Sequence, residues 1–180
     1  MPTPKAARAP KPPPGTGRRP PVAAPPAVPT PAFLRRFFGR DRFAAGAGIR
    51  LVDCGPGRAV ARMALRPGHL NGVDVAQGGA VFTLADFAFA VACNSHGPVA
   101  LAIDVSISFL AATRSGTLTA TALEVSRSAR LSRVEVTVRD AKGAAVALFH
   151  GTAYVTRESI HEVAARPAGG ARRAGGRGDR

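Results

Sequence analysis

From Ala80 to Cys93 the chain reads AVFTLADFAFAVAC, in which Thr83 and Asp86 are the only polar side chains. Its length and its alanine, leucine and phenylalanine content favour a helix over a strand. Asn94-Ser95-His96-Gly97-Pro98 is a strong stop signal, so a helix is expected over residues 79–95. A helix that is apolar on nearly every side has no place on a surface; a sheet or an interface must enclose it. The remaining segments supply a sheet. LAIDVSISF, TLTATALEV, LSRVEVTVR and AAVALFHGTAYVT each alternate or form a buried apolar run. The clearest period of two is Val134, Val136 and Val138 set between Arg133, Glu135, Thr137 and Arg139. Asp140-Ala141-Lys142-Gly143 predicts a tight hairpin turn between the last two strands. Residues 49–53 and 57–65, split by Cys54-Gly55-Pro56, read as another hairpin, with Ala59, Ala61, Met63 and Leu65 on one face. Phe33, Leu34, Phe37 and Phe38 predict a short amphipathic helix over 33–43. Helix, two strands, long helix, four strands: the expected class is α+β, an antiparallel sheet around one central helix.

The two ends fit no core. Residues 1–31 are proline at more than a third of positions, and 159–180 are rich in glycine, alanine and arginine. Both read as disordered tails around a domain at 32–158. They also divide the formal charge of +14, since a net +8 of it falls on them. No aromatic residues interleave with the tail arginines as a base-stacking platform requires, so nucleic acid is not the expected partner. Cys54 and Cys93 lie far apart without metal-ligand spacing, which argues against a zinc site or a disulfide scaffold. Neither a secretory signal nor an unbroken membrane-spanning run is legible, so the expected setting is cytoplasmic, off the membrane.

Asp86 is the residue that packing explains least. Aspartate is disfavoured in mid-helix, and burial among Phe82, Leu84, Phe87, Ala88 and Phe89 penalises its charge. Such a cost is tolerated mostly where the group is used. A structural alternative stands beside this: a buried aspartate that caps a loop or pairs with an arginine. Gly79, Thr83, Asp86, Ala90 and Cys93 share one helical stripe, and the other four are small, so the stripe predicts a groove facing the carboxylate. Gln77-Gly78-Gly79 opens the same helix. Unpaired N-terminal amides carry partial positive charge, and glycine lets a ligand oxygen approach them, which is what an oxyanion hole requires. Alone, Gln-Gly-Gly is a weak signal, since paired glycines before a helix usually just turn the chain.

Taken together, LNG-(x4)-QGG-(x2)-F-x-LAD-x-AFA-x-ACNS-x-G, followed by ISFL, GTLTATA and VALFHG, closely resembles the phenylacetate-pathway (PaaI-type) thioesterases of the hotdog superfamily. The resemblance spans about 32–156 and neither tail. It implies a hotdog fold: a long central helix wrapped by a curved antiparallel sheet, with a short N-terminal helix. It further implies a homodimer or homotetramer with the active site at the protomer interface, and hydrolysis of acyl-CoA thioesters, aryl-acetyl or medium-chain, with no cofactor beyond the CoA of the substrate. By the resemblance Asp86 is the catalytic carboxylate, activating water or attacking the thioester. Gly78 offers the polarising N–H, and Asn71 helps orient water or substrate. Gln77 departs from the family's usual histidine; it can hydrogen-bond but cannot titrate near neutrality.

The substrate-binding candidates are Gln77, Gly79 and Thr83 around the helix start, with Arg127 and Arg130 between two strands for the CoA phosphates. Cys93 reads as helix packing, His69 as a surface loop residue that could line the pocket, and His96 as a partner of the helix's negative end. The competing function is a non-catalytic hotdog module that binds acyl-CoA or an acyl-carrier protein, which Gln77 would favour. A hydratase on this fold would need an Asp/His pair that is not found.

Overall fold

The computed structural model describes residues 27–166. Thr30 caps the first helix by accepting the Phe33 N–H at 3.2 Å, and Pro31 takes the first helical position, where its missing N–H costs nothing. Helix α1, Pro31–Phe38, buries Leu34. The single helix expected over 33–43 is two helices. The chain turns at Gly39 and Arg40, and Asp41 accepts the Ala44 N–H at 2.9 Å to start α2, Arg42–Gly46. Gly39 caps the end of α1, and the Asp41 N-cap starts a second helix within the same apolar period.

Six antiparallel strands follow: β1 (Arg50–Gly55), β2 (Arg58–Ala64), β3 (Pro98–Phe109), β4 (Thr117–Arg127), β5 (Leu131–Arg139) and β6 (Ala145–Ser159). They form one sheet in the order β1-β2-β4-β5-β6-β3. Helix α3, Gly78–Asn94, crosses the inner face and touches all six strands. This is the curved hotdog arrangement, and the α+β expectation holds with its helix in the centre. Val134, Val136 and Val138 point inward at 1 % exposure or less, while Arg133, Glu135 and Arg139 point out. Packing is tightest where Phe89 of α3 meets β6. A Cβ on Gly151 would stand 2.5 Å from the Phe89 ring, so only glycine lets helix and strand approach this closely. Phe149 takes up the ring's other side, with centroids 5.5 Å apart.

The sequence placed the domain's end at 158, but order continues. Ser159 and Glu162 form a reciprocal capping box, and α4, Ile160–Ala165, buries Ile160 and packs His161 against Phe33 with ring centroids 4.1 Å apart. The capping signal lay unread beside the glycine-arginine run. Residues 1–26 and 167–180, most of the expected tails, lie outside the described residues. Among the described residues no helix is long and apolar enough to cross a membrane. Strand β3, twelve residues long, forms one margin of the sheet, and Leu101 and Ile103 on it are about 60 % exposed.

Candidate active site

The loop before α3 is shaped by its own polar groups. His69 sits in a 3-10 turn, Pro67–His69. Its Nδ1 accepts the Arg66 N–H at 3.2 Å and its carbonyl accepts the Gln77 N–H at 2.8 Å. It is buried at 9 % exposure, which corrects its reading as a surface residue: two backbone ends of the loop are tied through it. Asn71 Oδ1 accepts the N–H groups of Val73 and Val75 at 3.0 and 3.3 Å, so the oxygen of this amide holds the loop's curl. Asp74, at φ 57°, completes the bend.

Gln77 is the N-cap of α3, with Oε1 accepting the Ala80 N–H at 3.2 Å. Gly78 and Gly79 are the first two helical residues, whose amides have no acceptor within a helix. Among the described residues neither N–H finds one elsewhere. A Cβ on Gly78 would lie 3.1 Å from Cζ of Phe109, a crowding that glycine avoids. Thr83 turns its hydroxyl back to the Gly79 carbonyl at 2.8 Å.

Two turns on, Asp86 stands half-buried on the side of α3 that faces away from the sheet. Gly79, Thr83 and Ala90 share that open stripe, whereas Cys93, expected to complete it, is fully buried against β5. Asp86 has no ion-pair partner among the described residues. Burial pushes its carboxyl above the ordinary carboxylate range, and the negative charge of Asp41 pushes it further.

The family model described as thioesterase superfamily matches residues 74–147, the span that holds both glycine amides and Asp86. A putative esterase of Archaeoglobus fulgidus is 39 % identical over 125 residues, 69 % of this chain and 81 % of that protein. The acyl-coenzyme A thioesterase PaaI of Escherichia coli K12 is 36 % identical over 119 residues, 66 % of this chain and 85 % of that protein. The chain belongs to the PaaI-type hotdog thioesterases. The solved structure of the Escherichia coli PaaI protein from the phenylacetic acid degradation operon matches the fold with a TM-score of 0.67 at 34 % identity, covering 69 % of this chain and 91 % of that one. A Streptococcus mutans protein bound to acetyl CoA matches with a TM-score of 0.58 at 27 % identity, over 60 % of this chain and 88 % of that one.

The two arginines of this thioesterase fare differently. Arg127 donates to Glu124 Oε1 at 2.9 Å and to the Cys93 carbonyl at 3.1 Å, in a half-buried network at the end of α3. Arg130 is exposed; it donates to the Tyr154 hydroxyl at 2.6 Å and lies over that ring. Glu124 also binds His96 Nε2 at 2.7 Å and accepts the Ser132 hydroxyl. Burial alone would raise its carboxyl, but the hydrogen bonds from Ser132 and Arg127 and the charge of His96 hold it below the usual range. Cys93 rests beside Ser132, and burial pushes its thiol up to about 11, which leaves it inert as a nucleophile near neutrality.

Sequence reasoning missed three residues near the site. Asp41 acts on Asp86 across the turn between α1 and α2; its capping signal before Arg42 was legible, its position over α3 was not. Phe109 closes over Gly78 from the end of β3, thirty-one residues away in sequence. Glu124, the hub that occupies Arg127, carried no local signal at all.

Proposed function

We propose that this protein hydrolyses acyl-CoA thioesters, aryl-acetyl or medium-chain, at a site built from two copies of the chain. The supporting observation is a pair of unpartnered glycine amides at the start of α3 and an unpaired carboxylate eight residues further along it. Eight residues of helix rise about 12 Å, whereas a reacting carbonyl has to lie within about 3 Å of both its oxyanion donor and its activated water. One copy cannot satisfy that geometry. The Gly78 amide of one protomer therefore serves the Asp86 of its partner. The long β3 margin with its exposed Leu101 and Ile103 suits pairing between copies, and a homotetramer is two such dimers.

In this arrangement the thioester carbonyl accepts the Gly78 N–H, with Gly79 beside it. The Asp86 carboxylate takes a proton from water, whose oxygen adds to the carbonyl carbon. The Gly78 amide carries the negative charge that develops on the carbonyl oxygen. Collapse of the tetrahedral adduct breaks the carbon–sulfur bond, and the proton held by Asp86 passes to the departing thiolate. A carboxyl raised by burial is suited to both halves of that exchange. Asn71, its oxygen occupied in the loop, turns its NH2 group to water or substrate. Gln77 and Thr83 set the helix start, and Arg130, which is exposed, meets the CoA phosphates, whereas Arg127 is held by Glu124. The reaction is redox-neutral and calls for no cofactor beyond the CoA of the substrate. The two free, buried cysteines suit a reducing cytoplasm.

A panel of acyl-CoAs assayed for thiol release on wild type and Asp86→Asn tests this. Release by the wild type and its loss in the variant is the expected result. Binding without release by the wild type would instead make the protein a carrier or sensor of acyl-CoA or acyl-carrier protein.

A further inference from the structure

Beside the Gly78 amide the chain has an apolar hollow of about 330 Å³, bounded by Val75, Val81, Phe109, Leu110, Ala111 and Val146. No charged side chain lines it. Phe109 and Leu110 are large apolar residues left more than half exposed at its rim, although Phe109 belongs to the inward-facing set of β3. The tip of the Phe109 ring stands 3.1 Å from where a Cβ on Gly78 would be, and Gly78 itself lines the hollow, so ring and hollow both adjoin the amide that would hold the carbonyl. A thioester bound at that amide has two arms. The CoA arm carries phosphates and has to leave toward water and cations; the acyl arm has no polar group and needs an apolar recess.

We propose that this hollow is the acyl-binding site and that Phe109 sets the size of acyl group it accepts. The inference rests on the reading of Gly78 as the carbonyl-holding amide. The hollow is at the small end of the roughly 300–1,000 Å³ typical of small-molecule pockets, and an aromatic wall suits a flat or compact apolar group. The phenylalanines near Asp86 along α3 are engaged elsewhere. Phe87 and Phe89 are core residues, and Phe82 packs edge-on against Phe149.

The test is a kcat/KM profile over straight-chain acyl-CoAs of increasing length together with phenylacetyl-CoA. It is run on the intact oligomer of wild type, Phe109→Ala and Ala111→Phe. Phe109→Ala opens the hollow and should move the preferred chain two or more carbons longer, while the preference for phenylacetyl over an aliphatic chain falls about tenfold. Ala111→Phe adds bulk at an exposed rim position and should cost long chains roughly fourfold per methylene no longer accommodated, the worth of one buried CH2. Inhibition by free CoA should stay within twofold in both variants. A profile that scales down uniformly, or that keeps its shape in both variants, overturns the assignment of the hollow. Absence of turnover in the wild type overturns the thioesterase reading itself, and the two failures are thereby distinct.

Discussion

A site shared between two copies makes a prediction that a single-chain site cannot imitate. The perturbation is a pair of variants, each disabling one half. Gly78→Pro removes a single N–H. Proline is tolerated at the first helical position, and the residue before it must be extended; Gln77 already is, at φ −64° and ψ 133°. The new Cβ meets the tip of Phe109 at 3.1 Å, and that ring has to give by a few tenths of an ångström. Since that N–H has no partner among the described residues, folding loses none of the hydrogen bonds described there. Turnover should fall by about 10²–10³, or roughly 2.7–4 kcal/mol of barrier, the cost of one oxyanion donor. Asp86→Asn should abolish turnover on its own. In a mixed dimer one site contains both defects and the other contains none. Free exchange of equal amounts makes half the dimers mixed, so roughly a quarter of wild-type activity should return, and about half in mixed dimers purified through two different tags. The assay is thiol release from an acyl-CoA that the wild type hydrolyses, with exchange verified by recovery of both tags. If purified mixed dimers are no more active than the average of their parents, the inference from helix length is refuted.

Asp86 has to be ionised to act as base, so activity should fall as pH drops through a value above the ordinary carboxylate range near 4. Asp41→Asn keeps the cap of α2, since asparagine caps as well, but removes the second cause of that elevation, so this acid limb should move to lower pH without a change in Tm. The raised carboxyl also costs stability. The folded state keeps a proton that the unfolded chain has lost, so stability declines as pH rises from the unfolded value through the folded one. Asp86→Asn should therefore melt a few degrees above wild type at neutral pH, with the gap closing below about pH 4, as read by thermal denaturation. Arg127→Ala should lower stability by about 1–3 kcal/mol through the loss of its bond to Glu124, whereas Arg130→Ala should leave Tm unchanged and raise KM for acyl-CoA, most at low salt. Gln77→His should retain turnover; its elimination, measured by thiol release, would show that the helix start depends on the Gln77 cap to Ala80.

Local pattern along the chain was enough for the elements whose signal lies within a short window. Alternating valines in 131–139 can bury only one face, and an all-apolar helix has to be enclosed, so β5, α3 and the α+β class followed from periodicity. Asp86 stood out because a charge in such a helix is costly, and Gly78 because amides at a helix start are unpaired wherever the helix lies. Tertiary structure decided what these groups face. Whether Arg127 is free or bound depends on Glu124, three residues back across an irregularity in β4, and on Ser132, which strand pairing with β5 sets beside them. Asp41 lies near Asp86 and Phe109 covers Gly78 through tertiary packing. Those two contacts join residues far apart in sequence, and the energy that selects them comes from burying the whole sheet against α3. No short window of the chain contains it.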